Sequence, residues 1–193
     1  MADNGSGGVT NWIGNQADIL ANIASNMLPV QRMITGAAYL IGLTFAVKAI
    51  YSLKNLGESK ASSSQGQASL KEAMVYLFVA GIFIFLPSGL DMVMTTTFGT
   101  SNVLQYASVD SSNQAIDTLF GSGSLVGQSL TRIIQTIGLI AFVRGWVLIA
   151  RGAGHGQQPG GTGKGLMHIF GGVLAINIVL TLQIINNTLY GTN

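Results

Sequence analysis

The chain has no cysteine, and only 8% of its 193 residues are charged. Without cysteine it can form neither a disulfide framework nor a thiolate metal site, so redox chemistry says nothing about its compartment. A soluble domain carries about a quarter charged residues, so this chain cannot coat itself with charge. Its solvent is expected to be lipid or further copies of itself. Nine Lys and Arg against seven Asp and Glu leave a net charge of +2, too little to mark a nucleic-acid-binding protein. Proline is scarce, at three residues. Residues 1–11 contain no Lys or Arg, and no secretory signal pattern follows them. Insertion is therefore expected to rely on the apolar segments themselves.

Those segments dominate what is present. Hydrophobic residues make up 48% of the chain, and the mean hydropathy is +0.48. Four apolar runs, 33–53, 74–90, 133–150 and 166–187, are each roughly 17 to 22 residues long. As helices they extend about 25 to 33 Å, which matches a bilayer core of about 30 Å. Lipid offers the backbone no hydrogen bonds, so helices are expected.

The runs form two hairpins that resemble one another. Ile41-Gly42-Leu43 with Val47-Lys48 aligns with Ile137-Gly138-Leu139 with Val143-Arg144 at an offset of 96. Asn15-Gln16-Ala17 returns as Asn113-Gln114-Ala115 at 98, and Lys71 and Met74 match Lys164 and Met167 at 93. A repeat of this length is the signature of a duplicated unit. The predicted fold is an all-α membrane protein: four transmembrane-type helices as two tandem duplicated hairpins, each preceded by a short amphipathic helix. The organisation is a polar tail over 1–11, a first hairpin repeat over 12–97, a linker over 98–112 and a second repeat over 113–193.

The amphipathic segments are 12–28 and 113–131. In the first, Trp12, Ile13, Ile19, Leu20, Ile23, Met27 and Leu28 share one helical face, and Pro29 is expected to end it. Ile116, Leu119, Phe120, Leu125, Val126 and Leu130 repeat the pattern with glycine interruptions. Both segments suit either a membrane interface or a neighbouring helix.

Charge placement predicts topology. The loops between paired runs hold Lys54, Lys60, Lys71, Arg151 and Lys164, whereas the region before Arg32 and the stretch from Phe98 to Thr131 have no Lys or Arg. The positive-inside rule places both loops in the cytoplasm and both termini outside.

Few residues could carry chemistry. Gly160-Gly161-Thr162-Gly163-Lys164-Gly165 looks like a phosphate-binding loop but has Gln158 and Gly165 where that motif needs Gly and Ser or Thr. His155 and His168 have no carboxylate at ligand spacing, and the seven acids form no catalytic pair. No enzyme, metal or cofactor is expected, beyond a bound phospholipid. Lys48 and Arg144 occupy matching positions inside their runs, either snorkelling to headgroups or marking a face lined by water or lipid phosphate. Helix packing is expected at the small-residue pairs Gly42 and Ala46, Ala141 and Gly145, and Gly171 and Ala175.

The run from Gly163 to Asn177, GKGLMHIFGGVLAIN, is the most distinctive stretch. It resembles small integral membrane proteins of type IVB secretion and I-type conjugation systems, the IcmC/DotE, IcmD/DotP and TraQ/TraR-like group. The first hairpin departs from that pattern: Lys71-Glu72-Ala73-Met74 keeps the lysine and methionine without the Gly-Gly or the Asn. The resemblance implies a component of a bacterial inner-membrane machine for DNA or effector transfer. The hairpin plan is also similar to that of F-type conjugative pilins, which leave the inner membrane with phospholipid and polymerise into a hollow extracellular pilus. By that similarity the partners are further copies of the chain, membrane lipid, other conjugation components, and single-stranded DNA or protein cargo passing through the lumen. Lys48, Lys54, Lys60, Lys71, Arg144, Arg151 and Lys164 would then face the lumen or lipid phosphate. A static inner-membrane component and a small tandem-repeat channel are the alternatives.

Overall fold

The computed structural model describes residues 6–58, 63–99, 125–154 and 161–190, all of them helical apart from short turns. The helices are α1 (Ser6–Glu58), α2 (Ser63–Ile84), α3 (Leu86–Phe98), α4 (Leu125–Ala153), α5 (Gly161–Ile176) and α6 (Ile178–Tyr190). Two helices, Ala17–Gly57 and Val126–Ala153, are long and apolar enough to cross a membrane, and up to four segments are if each bent pair counts as one span.

Helix α1 runs 53 residues with Pro29 inside it. At 1.5 Å per residue it is about 80 Å long, far more than one bilayer crossing needs. The expected break at Pro29 is absent, and 12–28 is part of the leading half of one rod rather than a separate helix. Proline removes a single intrahelical bond, whereas breaking the rod in an apolar setting would free several backbone groups. Beside this point the Ser25 hydroxyl and the Asn26 amide both donate to the Asn22 carbonyl at 2.8 Å. In this rod Ile19, Ile23 and Leu28 stay exposed. Of the second amphipathic segment, 113–124 lies outside the described residues, as do the linker residues 100–112. Its last part, from Leu125, joins directly onto α4.

The second and fourth apolar runs are not straight spans. The axis turns by 91° between α2 and α3, and by 88° between α5 and α6. Pro87 explains the first elbow. It lacks the N–H that would bond the Phe83 carbonyl, its ring crowds that carbonyl, and it sits in the first turn of α3 where a missing donor costs nothing. The second elbow has no proline. There the bond from Asn177 N–H to the Val173 carbonyl stretches to 3.3 Å. The Thr181 hydroxyl lies 2.9 Å from the Leu174 carbonyl and 3.0 Å from that of Asn177. The Thr181 hydroxyl thus reaches the Leu174 carbonyl, an acceptor that the end of α5 leaves open, while the Asn177 carbonyl takes the Thr181 N–H at 3.0 Å. Helix α3 ends at Gly99, whose φ of 72° lets its N–H reach the Thr95 carbonyl.

Two antiparallel pairs carry the packing, α1 with α2 and α4 with α5, and α4 joins them by resting on α1 and α2. One hydrophobic core runs through both pairs, including Phe45, Phe83, Leu86, Met94, Leu139, Phe142 and Ile176. Phe45 stacks between Tyr76 and Phe83, with ring centroids 5.7 and 6.4 Å away. The elbow helices tuck under their own pairs, α3 touching α1 and α6 touching α4. Leu86, Leu90 and Met94, spaced by one helical turn, form the buried edge of α3.

Candidate functional site

Close backbone approaches among the described residues lie along a glycine seam. On α4, Gly138, Gly145 and Gly152 recur every seven residues, and a Cβ on each would strike α5. At Gly138 it would lie 2.7 Å from the Ile176 nitrogen, at Gly145 2.7 Å from the Gly165 oxygen, and at Gly152 3.1 Å from the Thr162 hydroxyl. From the other side, a Cβ on Gly172 would lie 2.7 Å from the Phe142 nitrogen. With no side chain between them, the backbones touch and gain dispersion contacts along their length. In the α1–α2 pair, Gly42 meets Ala80 and Phe83 in the same way, and Ala49 and Ala73 are fully buried.

One of the small-residue expectations needs adjusting. Gly42 and Gly145 are at the seams, with Ala46, Ala141 and Ala175 half-buried beside them. Gly171, however, is exposed with nothing within 4 Å, and its neighbour Gly172 makes the contact. Adjacent helical residues point about 100° apart, so only one of the two glycines can lie on the seam.

Contact geometry recurs between the pairs. A Cβ on Gly42 would meet the Ala80 oxygen, the Phe83 Cβ and the Ile84 nitrogen. A Cβ on Gly138 would meet the Gly172 oxygen, the Ala175 Cβ and the Ile176 nitrogen. The first helices correspond at an offset of 96 and the second at 92. The elbows obey the same 92: α2 ends at Ile84 and α5 at Ile176, and α3 and α6 are each 13 residues long. Packing therefore aligns Lys71 and Met74 with Gly163 and Leu166, one residue away from the match by identity.

The pairs meet through a buried hydrogen bond from the Gln31 amide to the Thr136 hydroxyl, 2.9 Å long. Towards the other end the Phe78 and Trp146 rings meet edge to face at 5.7 Å. Gly154, just beyond α4, lies against Tyr76 and Glu72 of α2. The end of α4 is therefore level with the middle of α2, and α1 and α4 run in the same direction. Thr131, Gln135, Thr136 and Asn177 are buried polar residues at the end opposite the basic loops. Sequence reasoning reached Asn177 only as the end of the distinctive Gly163–Asn177 stretch and missed Thr131, Gln135 and Thr136, because hydropathy averages over such positions.

Among the basic candidates, Lys48 and Arg144 are both exposed, and the Lys48 ammonium sits 5.7 Å from the Phe45 ring centroid. Lys54, Lys71, Arg151 and Lys164 are also exposed, all at the end of the molecule where α1 gives way to α2 and α4 to α5. The structure therefore gathers these charges at one end and does not converge them on a pocket. Lys60 and His155 lie outside the described residues. His168 is half-buried, its Nδ1 2.8 Å from the Lys164 carbonyl. Among the described residues no group of three or more His, Cys, Asp or Glu side chains could hold a metal ion.

The remaining surface is apolar. Met33, Leu40, Ile50, Phe85, Met92 and Phe170 are each more than 60% exposed. An open groove of about 510 Å³ follows the α2–α3 elbow, lined by Leu77, Phe78, Gly81, Phe85, Gly89 and Met92 among others. Exposed apolar area on this scale belongs in lipid or against another subunit. Compared with known proteins, the chain matches no family model, no curated protein and no solved structure.

Proposed function

We propose that the chain is a pilin-like structural subunit of a conjugative, I-type type IV secretion pilus. It is inserted in the bacterial inner membrane and later stacked with phospholipid into a hollow extracellular filament. In this reading the chain is two fused copies of one hairpin unit, each made of a long helix, a returning helix and an elbow helix. The observation that carries it is the recurring seam and elbow at offsets of 96 and 92, with the two long helices running the same way. A duplicated unit whose apolar faces stay open suits a building block, because a block must bury its surface in a neighbour. The stretch from Gly163 to Asn177 supports placement in a conjugation or secretion machine. The exposed basic side chains gathered at one end would face the cytoplasm before assembly and the lumen or lipid phosphate afterwards. A mildly basic lumen tolerates passing DNA without gripping it, since each phosphate contact adds affinity.

The 91° and 88° elbows favour the second reading, a static inner-membrane component, because a helix at right angles to its span suits the membrane interface. Cell shearing separates the two. Full-length chain in the sheared surface fraction supports the pilus; chain found only in inner membranes supports the static component.

A further inference from the structure

The two halves of this chain are packed head to tail, and each lacks the neighbour that the other has. A two-fold arrangement would require each contact to occur twice with the roles of the halves exchanged. It does not. Helix α2 packs on α4, whereas α5, the counterpart of α2, makes no comparable contact with α1. The first half therefore offers one face and the second half a different one.

Exposure follows this asymmetry along the first helices. On α4 the stripe Thr136, Leu139, Val143 and Trp146 faces the first half, and Thr136 and Leu139 are only 3% and 1% exposed. The matching α1 stripe, at the offset of 96, is Leu40, Leu43, Val47 and Ile50. Two of its four residues are identical to their counterparts, yet exposures run from 41% to 65%. On the second helices the contrast is in contacts at one position and in exposure at another. Phe78 of α2 is 62% exposed but carries an edge contact with the Trp146 ring, whereas its counterpart at 92, Phe170, is 64% exposed and has no ring contact among the described residues. Val75 is half-buried against the core, while its counterpart Met167 is 72% exposed.

From this we infer that the open α1 stripe of one copy, Leu40 to Ile50, seats on the open α5 face of the next, around Met167 and Phe170. The contact repeats between chains the one already made within the chain by α4 and α2. It rests on the duplicated-subunit reading above and names the interface that reading requires. The occupant is a second copy because the interface it would make already exists inside the molecule. A head-to-tail contact of this kind propagates into a ring or an open helical assembly, according to whether the rotation closes. Stacked units then bury a continuous core that a single unit cannot. Ile50 would meet Phe170 as Trp146 meets Phe78.

The cysteine-free chain makes a clean test. Full-length chain carrying Ile50→Cys and Phe170→Cys, and a second version carrying Phe78→Cys and Trp146→Cys, are treated in membranes with a short bismaleimide. The first pair is expected to give a ladder of dimers and higher oligomers, and the second a link within one chain, located by mass spectrometry of the joined peptides. Chains carrying only Ile50→Cys mixed with chains carrying only Phe170→Cys should stop at dimers. An internal link for Phe78 and Trp146 with no ladder for Ile50 and Phe170 overturns the proposal and leaves the outer stripe facing lipid. Loss of both links also overturns it, because the internal template is then wrong. A ladder in membranes from cells that make no surface filament keeps this interface and removes the pilus.

Discussion

Gly172 lies so close to Gly138 that a methyl group on Gly172 would sit 2.8 Å from the Gly138 carbonyl oxygen. Backbone meets backbone there, and neither helix can yield without losing contacts along the seam. Gly172→Ala is expected to destabilise the α4–α5 pair by about 1–3 kcal/mol, the usual cost of overpacking. Gly171→Ala, one residue away in open space, should stabilise the helix by about 0.5–1 kcal/mol, because a helical glycine loses more backbone entropy than alanine. Thermal unfolding of both variants in detergent checks the contrast; equal losses would contradict the seam.

Gln31 and Thr136 tie the two halves together. Polar pairs within membranes couple by about 0.6 kcal/mol on average and up to about 1.7. A double-mutant cycle with Gln31→Leu and Thr136→Val should return a coupling in that range. A coupling indistinguishable from zero would mean that the halves do not meet through these side chains.

Topology can be read on single-cysteine chains. Gly163 is exposed near the start of α5, and Thr97 is exposed near the end of α3. An impermeant maleimide applied to spheroplasts should label Thr97→Cys and leave Gly163→Cys unlabelled until the membrane is opened. The opposite pattern would place the basic loops outside, against the distribution of Lys and Arg.

Lys48 and Arg144 should act alike if they occupy equivalent places. Each is exposed, some ten residues before the end of its helix. Lys48→Met and Arg144→Met are each expected to lower the preference for anionic over zwitterionic phospholipid about fivefold, the effect of one basic residue near a charged surface. Native mass spectrometry of lipid-bound chain measures this. An effect confined to one of the two residues would break the equivalence.

Some of this was legible in the sequence and some was not. The apolar runs could be read from composition because lipid forces long uninterrupted helices. Ile41-Gly42-Leu43 and Ile137-Gly138-Leu139 could be aligned because their shared glycine has a packing reason. The returning helices misled by one residue: Lys71 and Met74 are identical to Lys164 and Met167, but two exposed identities say less than the shape of a seam. The elbows were hidden for different reasons. Pro87 reads as a boundary in any helix, whereas Asn177 is one polar residue in an apolar run, and only the Thr181 hydroxyl shows how the turn is sealed. Pro29 erred the other way, looking like a break where the rod continues. Which of Gly171 and Gly172 faces the seam depends on helix rotation, which adjacent identical residues cannot reveal.

The most direct test of the account is mass spectrometry of filaments sheared from the surface of cells that make the chain. A pilin-like subunit predicts the chain at full length as the main component, with phospholipid in fixed proportion to it. Sheared filaments that lack the chain, with all of it retained in the inner membrane, would contradict the account.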